Sequence, residues 1–320
     1  MTCLWLIGCT TPFDPTPTPL PVFDYPLKGV SLSPRTAQPD DLTDFFTRAQ
    51  ESGEVVMWAG DWAELADLEG GSPAVTAELG ATFGYVPLIE AQFFSQESGQ
   101  LLRPLDEEMQ QLYIDSAAAF AAAYQPAYLG FGIEVNLLYA QAPQDFETFV
   151  NLFDRVATAV KRESPRTKVF TVFQLEHMKG LQGGLFGGVN DTAQAQWPLL
   201  ERFPRADLIA FTSYPSLIYQ SPAEIPADYY SEIQTHTSKP IALTEVAWPS
   251  AIVPTGWESS EAEQADFVQI LFERTANTEF ELIIWSFLYD PNINLPFNSM
   301  GLRRPDGTAK PAWEAWLAGK

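Results

Sequence analysis

Two stretches of this sequence run apolar residues into a glutamate: GFGIEVN, with Glu134, and IALTEVAW, with Glu245. A strand that ends on a carboxyl puts a titratable group where the strand leaves the core, and two such ends can divide one reaction between them. A carboxyl held protonated can give its proton to a leaving oxygen, and one held ionised can attack the carbon which that oxygen leaves. The pair works only if elements far apart in the chain bring both ends to one place.

Competing chemistries have little to be built from. The chain has two histidines, His177 and His236, and two cysteines, Cys3 and Cys9, which leaves almost no ligands for a zinc site and no plain Cys–His pair. No strand-like run ends in lysine, so Schiff-base catalysis lacks its nucleophile. Eighteen Lys and Arg stand against 41 Asp and Glu, a formal charge of -23 that repels nucleic acid and acidic membrane surfaces. No metal or organic cofactor is implied.

With 46% hydrophobic residues in 320, the chain can bury one large core. Short apolar runs alternate with longer helical ones, the pattern of a parallel sheet with crossover helices. Eight strands are predicted, at 29–33, 55–59, 82–89, 128–135, 168–175, 208–214, 241–246 and 282–288, the number that closes an α/β (β/α)8 TIM barrel. Phe146, Phe149, Val150, Phe153, Val156 and Val160 form a helical stripe after the fourth strand. Leu112, Tyr113, Phe120 and Tyr124 form another before it, Ser260 with Glu263 reads as a capping box, and a last helix from Pro311 to Leu317 buries Trp313. A doubly wound sheet would want a glycine-rich first turn, and GVSLSPRT is not one. The glycine-rich stretch 180–188 lacks the Lys-Ser/Thr of a phosphate loop and reads as a mobile rim loop.

In such a barrel the carboxyl ends of all strands converge on one mouth, so Glu134 on strand four and Glu245 on strand seven would face each other. That arrangement suits cleavage of a glycosidic bond, in which one carboxyl protonates the leaving oxygen and the other attacks the anomeric carbon. Aromatic residues cluster at the strand ends, with Tyr214, Trp285, Tyr289, Trp58, Trp62 and Trp248 as candidates to stack on sugar faces. Gln174, Glu176 and His177 after strand five, and Glu90 and Gln92 after strand three, are further candidates to line the cleft.

These motifs resemble the clan A glycoside hydrolases, retaining (β/α)8-barrel enzymes, over the folded domain from KGVSLSP to GLRRPDGTAKPAWEAW. TEVAWPS is similar to the strand-seven stretches of endo-β-1,4-galactanases and plant-type β-1,3-glucanases, with FTSYP and IIWSF the next closest. The resemblance implies Glu245 as nucleophile, Tyr214 as its hydrogen-bond partner, Glu134 as acid/base and Trp285 as the ring beneath the sugar. It departs at Ile133, where the clan usually has asparagine, and in lacking the arginine near the end of strand two. Asn136 is then the candidate to hold the sugar 2-hydroxyl, and Arg35 the candidate to buttress Glu245.

Before the domain, Leu6-Ile7-Gly8-Cys9 resembles a bacterial lipobox in which Cys9 is lipidated, and the proline-rich segment 10–26 reads as a semi-rigid spacer. The expected organisation is therefore a signal at 1–9, a linker at 10–26 and a barrel at 27–320, extracytoplasmic and tied to a membrane only through the lipid. The expected activity is retaining hydrolysis of a β-linked, mostly neutral oligo- or polysaccharide. The alternative is a surface lipoprotein that binds glycan on a degenerate barrel without cleaving it, a reading favoured by Ile133 and the missing arginine.

Overall fold

The computed structural model describes residues 26–253 and 257–319. Its sheet is wholly parallel and made of nine segments: β1 (Leu27–Ser31), β2 (Val55–Asp61), β3 (Val86–Gln92), β4 (Tyr128–Phe131), β5 (Lys168–Phe170), β6 (Val172–Gln174), β7 (Ile209–Ser213), β8 (Ile241–Val246) and β9 (Phe280–Trp285). The order runs β5-β4-β3-β2-β1-β9-β8-β7-β6, so the two ends of the sheet are consecutive in the chain. They are halves of one barrel strand, interrupted only at Thr171. The Val172 N–H reaches back to the Gly132 carbonyl at 3.1 Å, and the Thr171 carbonyl accepts from Ala210 N–H at 3.4 Å. Counted this way the wall has the eight strands expected of a TIM barrel, and β8 is its seventh.

The helices are α1 (Pro39–Ser52), α2 (Ser72–Phe83), α3 (Glu107–Tyr124), α4 (Val135–Gln141), α5 (Pro143–Glu163), α6 (Leu175–Met178), α7 (Glu261–Thr275) and α8 (Pro311–Ala318). The apolar stripe of α5 is buried as its spacing requires, from Phe146 to Val160. Ser260 caps α7 by accepting from the Glu263 N–H. Trp313 and Trp316 are buried on α8, and the Trp316 indole donates to the Ser52 carbonyl at 2.8 Å, fastening α8 to α1.

Strand alternation divides the core in two. Val55, Met57, Leu282 and Ile284 fill the barrel, while Val56, Trp58, Ile283 and Trp285 face the helices. Each large side chain so buried contributes roughly 1.5–3 kcal/mol relative to exposure.

Two strand boundaries differ from the sequence reading for identifiable backbone reasons. Thr82 and Phe83 finish α2 instead of starting the third strand, because Gly84 closes that helix in the left-handed region with its N–H on the Gly80 carbonyl. The fourth strand stops at Phe131 instead of running to Val135, because Gly132 and Glu134 both take positive φ and turn the chain into α4. The proposed signal with Cys9, and the linker up to residue 25, lie outside the described residues.

Candidate active site

Glu134 sits in a turn that its surroundings hold open. Gly132 has φ +77°, and a Cβ there would lie 2.6 Å from Val135 Cγ1 and 2.8 Å from Phe149 Cζ, so only glycine fits. Glu134 itself has φ +62°, a conformation that costs a non-glycine residue roughly 1–3 kcal/mol and persists where neighbours over-determine it. Gln92 does much of that. Its Nε2 donates to the Ile133 carbonyl at 2.9 Å, and its Oε1 accepts from the N–H groups of Phe93 at 2.9 Å and Ile133 at 3.4 Å. Ile133 meanwhile drops its side chain into the barrel core. Gln92, expected as a cleft residue, is the clamp of the turn.

Glu245 depends on a different irregularity. Leu243 pairs with Phe211 and Glu245 with Thr212, so Thr244 is an extra residue in β8. Leu243 and Val246 both face the helices, and with Ala242 inside the barrel the bulge turns the intervening pair toward the mouth. Without the bulge, simple alternation would send Glu245 into the helix layer.

The same register joins the two carboxyls. Thr212, the cross-strand partner of Glu245, donates from Oγ1 to Glu134 Oε1 at 2.6 Å. Tyr214, two residues on along the same strand direction, donates its hydroxyl to Glu245 Oε2 and lies 3.0 Å from Ser286 Oγ. Phe297 meets the Tyr214 ring edge to face at 5.2 Å. Burial pushes the Glu134 carboxyl up to about 8; the Thr212 bond opposes this, and the charges of Glu245 and Glu176 add to it. Glu245 is also raised by burial but is pulled back by the Tyr214 hydroxyl. A protonated acid thus stands beside a carboxyl whose ionised form is hydrogen-bonded, the separation of roles that acid and nucleophile require.

A third carboxyl, Glu90, lies fully buried beneath them on β3, with neither oxygen hydrogen-bonded. Burial, and then the charge of Glu245, push it well above the ordinary carboxyl value, which favours the neutral form. Thr244 is close by but its Oγ1 makes no hydrogen bond of ordinary geometry.

The structure therefore brings together Glu134, Glu245 and Tyr214, and it directs other candidates elsewhere. Trp285 is fully buried against the helices, between Phe267 and Trp316, with its indole N–H on the Met300 carbonyl at 2.8 Å. Leu282 and Ile284 point into the barrel, so the next inward residue is Ser286, one place past the tryptophan. Trp248 stacks on Phe267 with its indole on Ser259, and Trp58 is in the barrel–helix core, as is Trp62. Asn136 is buried with its amide saturated: Oδ1 accepts from Gln174 N–H, and Nδ2 donates to the Gln174 carbonyl and to Gln196. Both amide hydrogens are used and the side chain is wholly buried, so it offers nothing to a sugar in the cleft. Glu176 is enclosed behind Tyr214 and not in the cleft. Arg35 pairs with Asp41 and Asp44 over the Tyr289 ring, not with Glu245. His177 packs edge to face on Phe186, and His236 stacks on Trp197 at 4.1 Å.

Thr212 and Ser286 were missed from the sequence. Both were legible in principle, since Thr212 shares a strand face with Tyr214, and Ser286 shares one with Ile284.

Solved structures share the fold that carries this mouth. A family 39 glycoside hydrolase from the gut symbiont Bacteroides cellulosilyticus WH2 superposes with TM-score 0.64 at 15% identity, over 91% of this chain and 62% of that one. The exo-β-1,4-mannosidase Op5Man5 from Opitutaceae bacterium strain TAV5 gives 0.63 at 14% identity, over 92% of this chain and 58% of its own. A GH5 subfamily 18 variant from Streptomyces cattleya, in complex with Manβ1-4GlcNAc, gives 0.67 at 16% identity, over 91% and 79%. The chain thus spans about three fifths of the length of the first two. Its sequence matches no protein-family model and no curated protein. What it has in common with these structures is the (β/α)8 barrel fold.

Proposed function

We propose that the protein is a retaining glycoside hydrolase acting on a β-linked, mostly neutral glycan. The observation that carries this reading is the pair of carboxyls beyond β4 and on β8: Glu134, which accepts from Thr212 and is pushed up to about 8 by burial, and Glu245, which accepts from the Tyr214 hydroxyl. In the first step Glu134 gives its proton to the glycosidic oxygen while Glu245 attacks the anomeric carbon; the C–O bond breaks and a glycosyl ester forms on Glu245. In the second, Glu134, now ionised, takes a proton from water, whose oxygen displaces Glu245 from the same carbon. The pair returns to its starting protonation, and no other reagent is consumed.

The charged neighbours bearing on Glu134 are both carboxyls, Glu245 and Glu176, which disfavours a uronic acid and favours a neutral sugar. Several structural neighbours bear the names of enzymes acting on β-linked sugars, neutral for the exo-β-1,4-mannosidase and acidic for a β-glucuronidase and a β-galacturonidase. They support the β-linkage, and the preference for a neutral sugar rests on the charges around Glu134. The alternative, glycan binding without turnover, is favoured by Ile133 and by an Arg35 that pairs with Asp41 and Asp44; the raised carboxyl of Glu134 supports turnover. On the N-terminal side we propose lipidation at Cys9, with the barrel tethered outside the cytoplasm by the proline-rich segment.

Hydrolysis of a panel of β-linked neutral oligosaccharides, with the anomer first released followed by proton NMR, tests the activity and its stereochemistry. Release of the β-anomer supports the reading. Release of the α-anomer, or no hydrolysis of any member, overturns it.

A further inference from the structure

Glu176 has no place in the two-step reaction, yet it is fully buried and surrounded by donors. Its Oε1 accepts from Tyr229 Oη at 2.7 Å, from the Tyr214 N–H at 3.0 Å and from Ser213 Oγ at 3.2 Å, and its Oε2 accepts from Gln174 Nε2 at 2.7 Å. Four donors converge on one carboxyl, an arrangement that suits the ionised form. Two of them belong to Ser213 and Tyr214, the latter being the residue whose hydroxyl reaches Glu245.

We propose that Glu176 is a positioning residue: its carboxylate pins the backbone at Tyr214 so that the hydroxyl stays on Glu245, and its charge, behind the cleft, keeps Glu134 in its acid form. The inference rests on the assignment of Glu134 and Glu245 as the reacting pair.

Burial raises Glu176, against the four donors that hold its carboxylate. Burial raises Glu134 as well, and the charge of Glu176 adds to that of Glu245 in delaying the loss of its proton. The other groups facing the two carboxyls do not cancel this. Glu245 faces Glu134 from β8 and acts in the same sense. Tyr214, Tyr219, Tyr229 and Tyr230 around Glu176 are all pushed above their ordinary values by burial and stay neutral. Lys179 lies over the Tyr229 ring at 4.9 Å, with its charge paired with Glu232.

The test is a carbon-13 NMR titration of the glutamate carboxyls in the substrate-free full chain, wild type against E176Q. Glutamine keeps an acceptor but loses the charge and turns a donor toward one of its neighbours. The expected result is a Glu134 midpoint displaced from about 8 toward acid, and a Glu245 midpoint displaced upward as the tyrosine hydroxyl slackens. A folded E176Q that keeps the wild-type Glu134 midpoint overturns the proposal. Should E176Q fail to fold, Y229F removes one donor and leaves the carboxyl in place; it is expected to move the Glu134 midpoint in the same direction by less, and an unmoved midpoint there overturns the proposal equally. A chain that shows these shifts but hydrolyses no glycoside upholds the inference about Glu176 and refutes the functional reading. Hydrolysis without the shifts does the reverse.

Discussion

Thr212 and Tyr214 set the protonation of the two glutamates from opposite sides, which gives each a separate signature. Thr212 donates to Glu134 and so favours its ionised form; in T212A that support is lost, and the basic limb of kcat/KM is expected to move to higher pH. Tyr214 does the same for Glu245, so Y214F should move the acidic limb to higher pH, with a loss of roughly 10- to 100-fold in kcat/KM for one hydrogen bond to a charged group. Limbs that stay fixed in both variants would contradict the assignment of these bonds. Replacing Glu134 by glutamine should lower kcat by roughly 10²–10⁴ on a poor leaving group, and far less on an activated aryl glycoside, because only the former needs the proton. At this scale the sequence was informative where a residue type carried the chemistry. That Glu134, Glu245 and Tyr214 meet at one mouth was legible because a carboxyl at one strand end gains meaning only when a second faces it from the complementary strand. The tryptophans misled because their type fits a sugar face and a helix interface equally well, and only strand phase separates the two. Asn136 misled for a related reason: it lies just past Glu134 in sequence, but the intervening left-handed turn starts a helix and carries it into the second layer.

Two departures from regular strand geometry, the turn at the end of β4 and the bulge in β8, aim the two glutamates. Neither was legible in the sequence. GFGIEVN reads as a strand through to Val135, and nothing in IALTEVAW marks Thr244 as the extra residue. The positive φ of Gly132 was the one available hint, a glycine at the end of an apolar run. Its substitution by alanine forces a Cβ to 2.6 Å from Val135 Cγ1, and G132A is expected to lower unfolding free energy by roughly 1–3 kcal/mol and to reduce activity with it. Gln92→Ala should act on the same turn by leaving the Ile133 carbonyl without its donor, at a cost of roughly 1–3 kcal/mol in a denaturant melt. A melt unchanged by either substitution would mean that the turn holds itself without these supports. The broader elements followed the sequence well, because α5, α3 and the strand runs are long enough for periodicity to outweigh local exceptions.

Over the whole molecule the buried carboxyls leave a thermodynamic trace. Glu90, Glu134, Glu176 and Glu245 are all raised by burial, so the folded chain holds protons that the unfolded chain releases. That stabilisation is complete below the ordinary value of 4.5 and is lost as pH rises through the folded values, about 7 for Glu176 and about 8 for Glu134. His177, lowered by burial, opposes the trend, whereas Asp290, also raised by burial, adds to it; Asp61, held low against its burial by bonds to Arg103, acts only near or below its ordinary 3.8. The thermal midpoint is therefore expected to fall between about pH 5 and pH 8, and a midpoint that rises over that interval would contradict the protonation scheme. The barrel was legible as a whole because eight apolar runs separated by helical stripes admit few other closures. The split of the fifth strand at Thr171 was not, since a single residue out of register leaves no mark in composition.

The central claim is that Glu245 attacks the sugar. Incubating the protein with a panel of activated 2-deoxy-2-fluoro β-glycosides, followed by intact mass and peptide mapping, tests it most directly. A single glycosyl adduct on the peptide carrying Glu245, absent in E245Q, is the predicted result. An adduct on any other residue, or turnover of the same sugars without one, would contradict it.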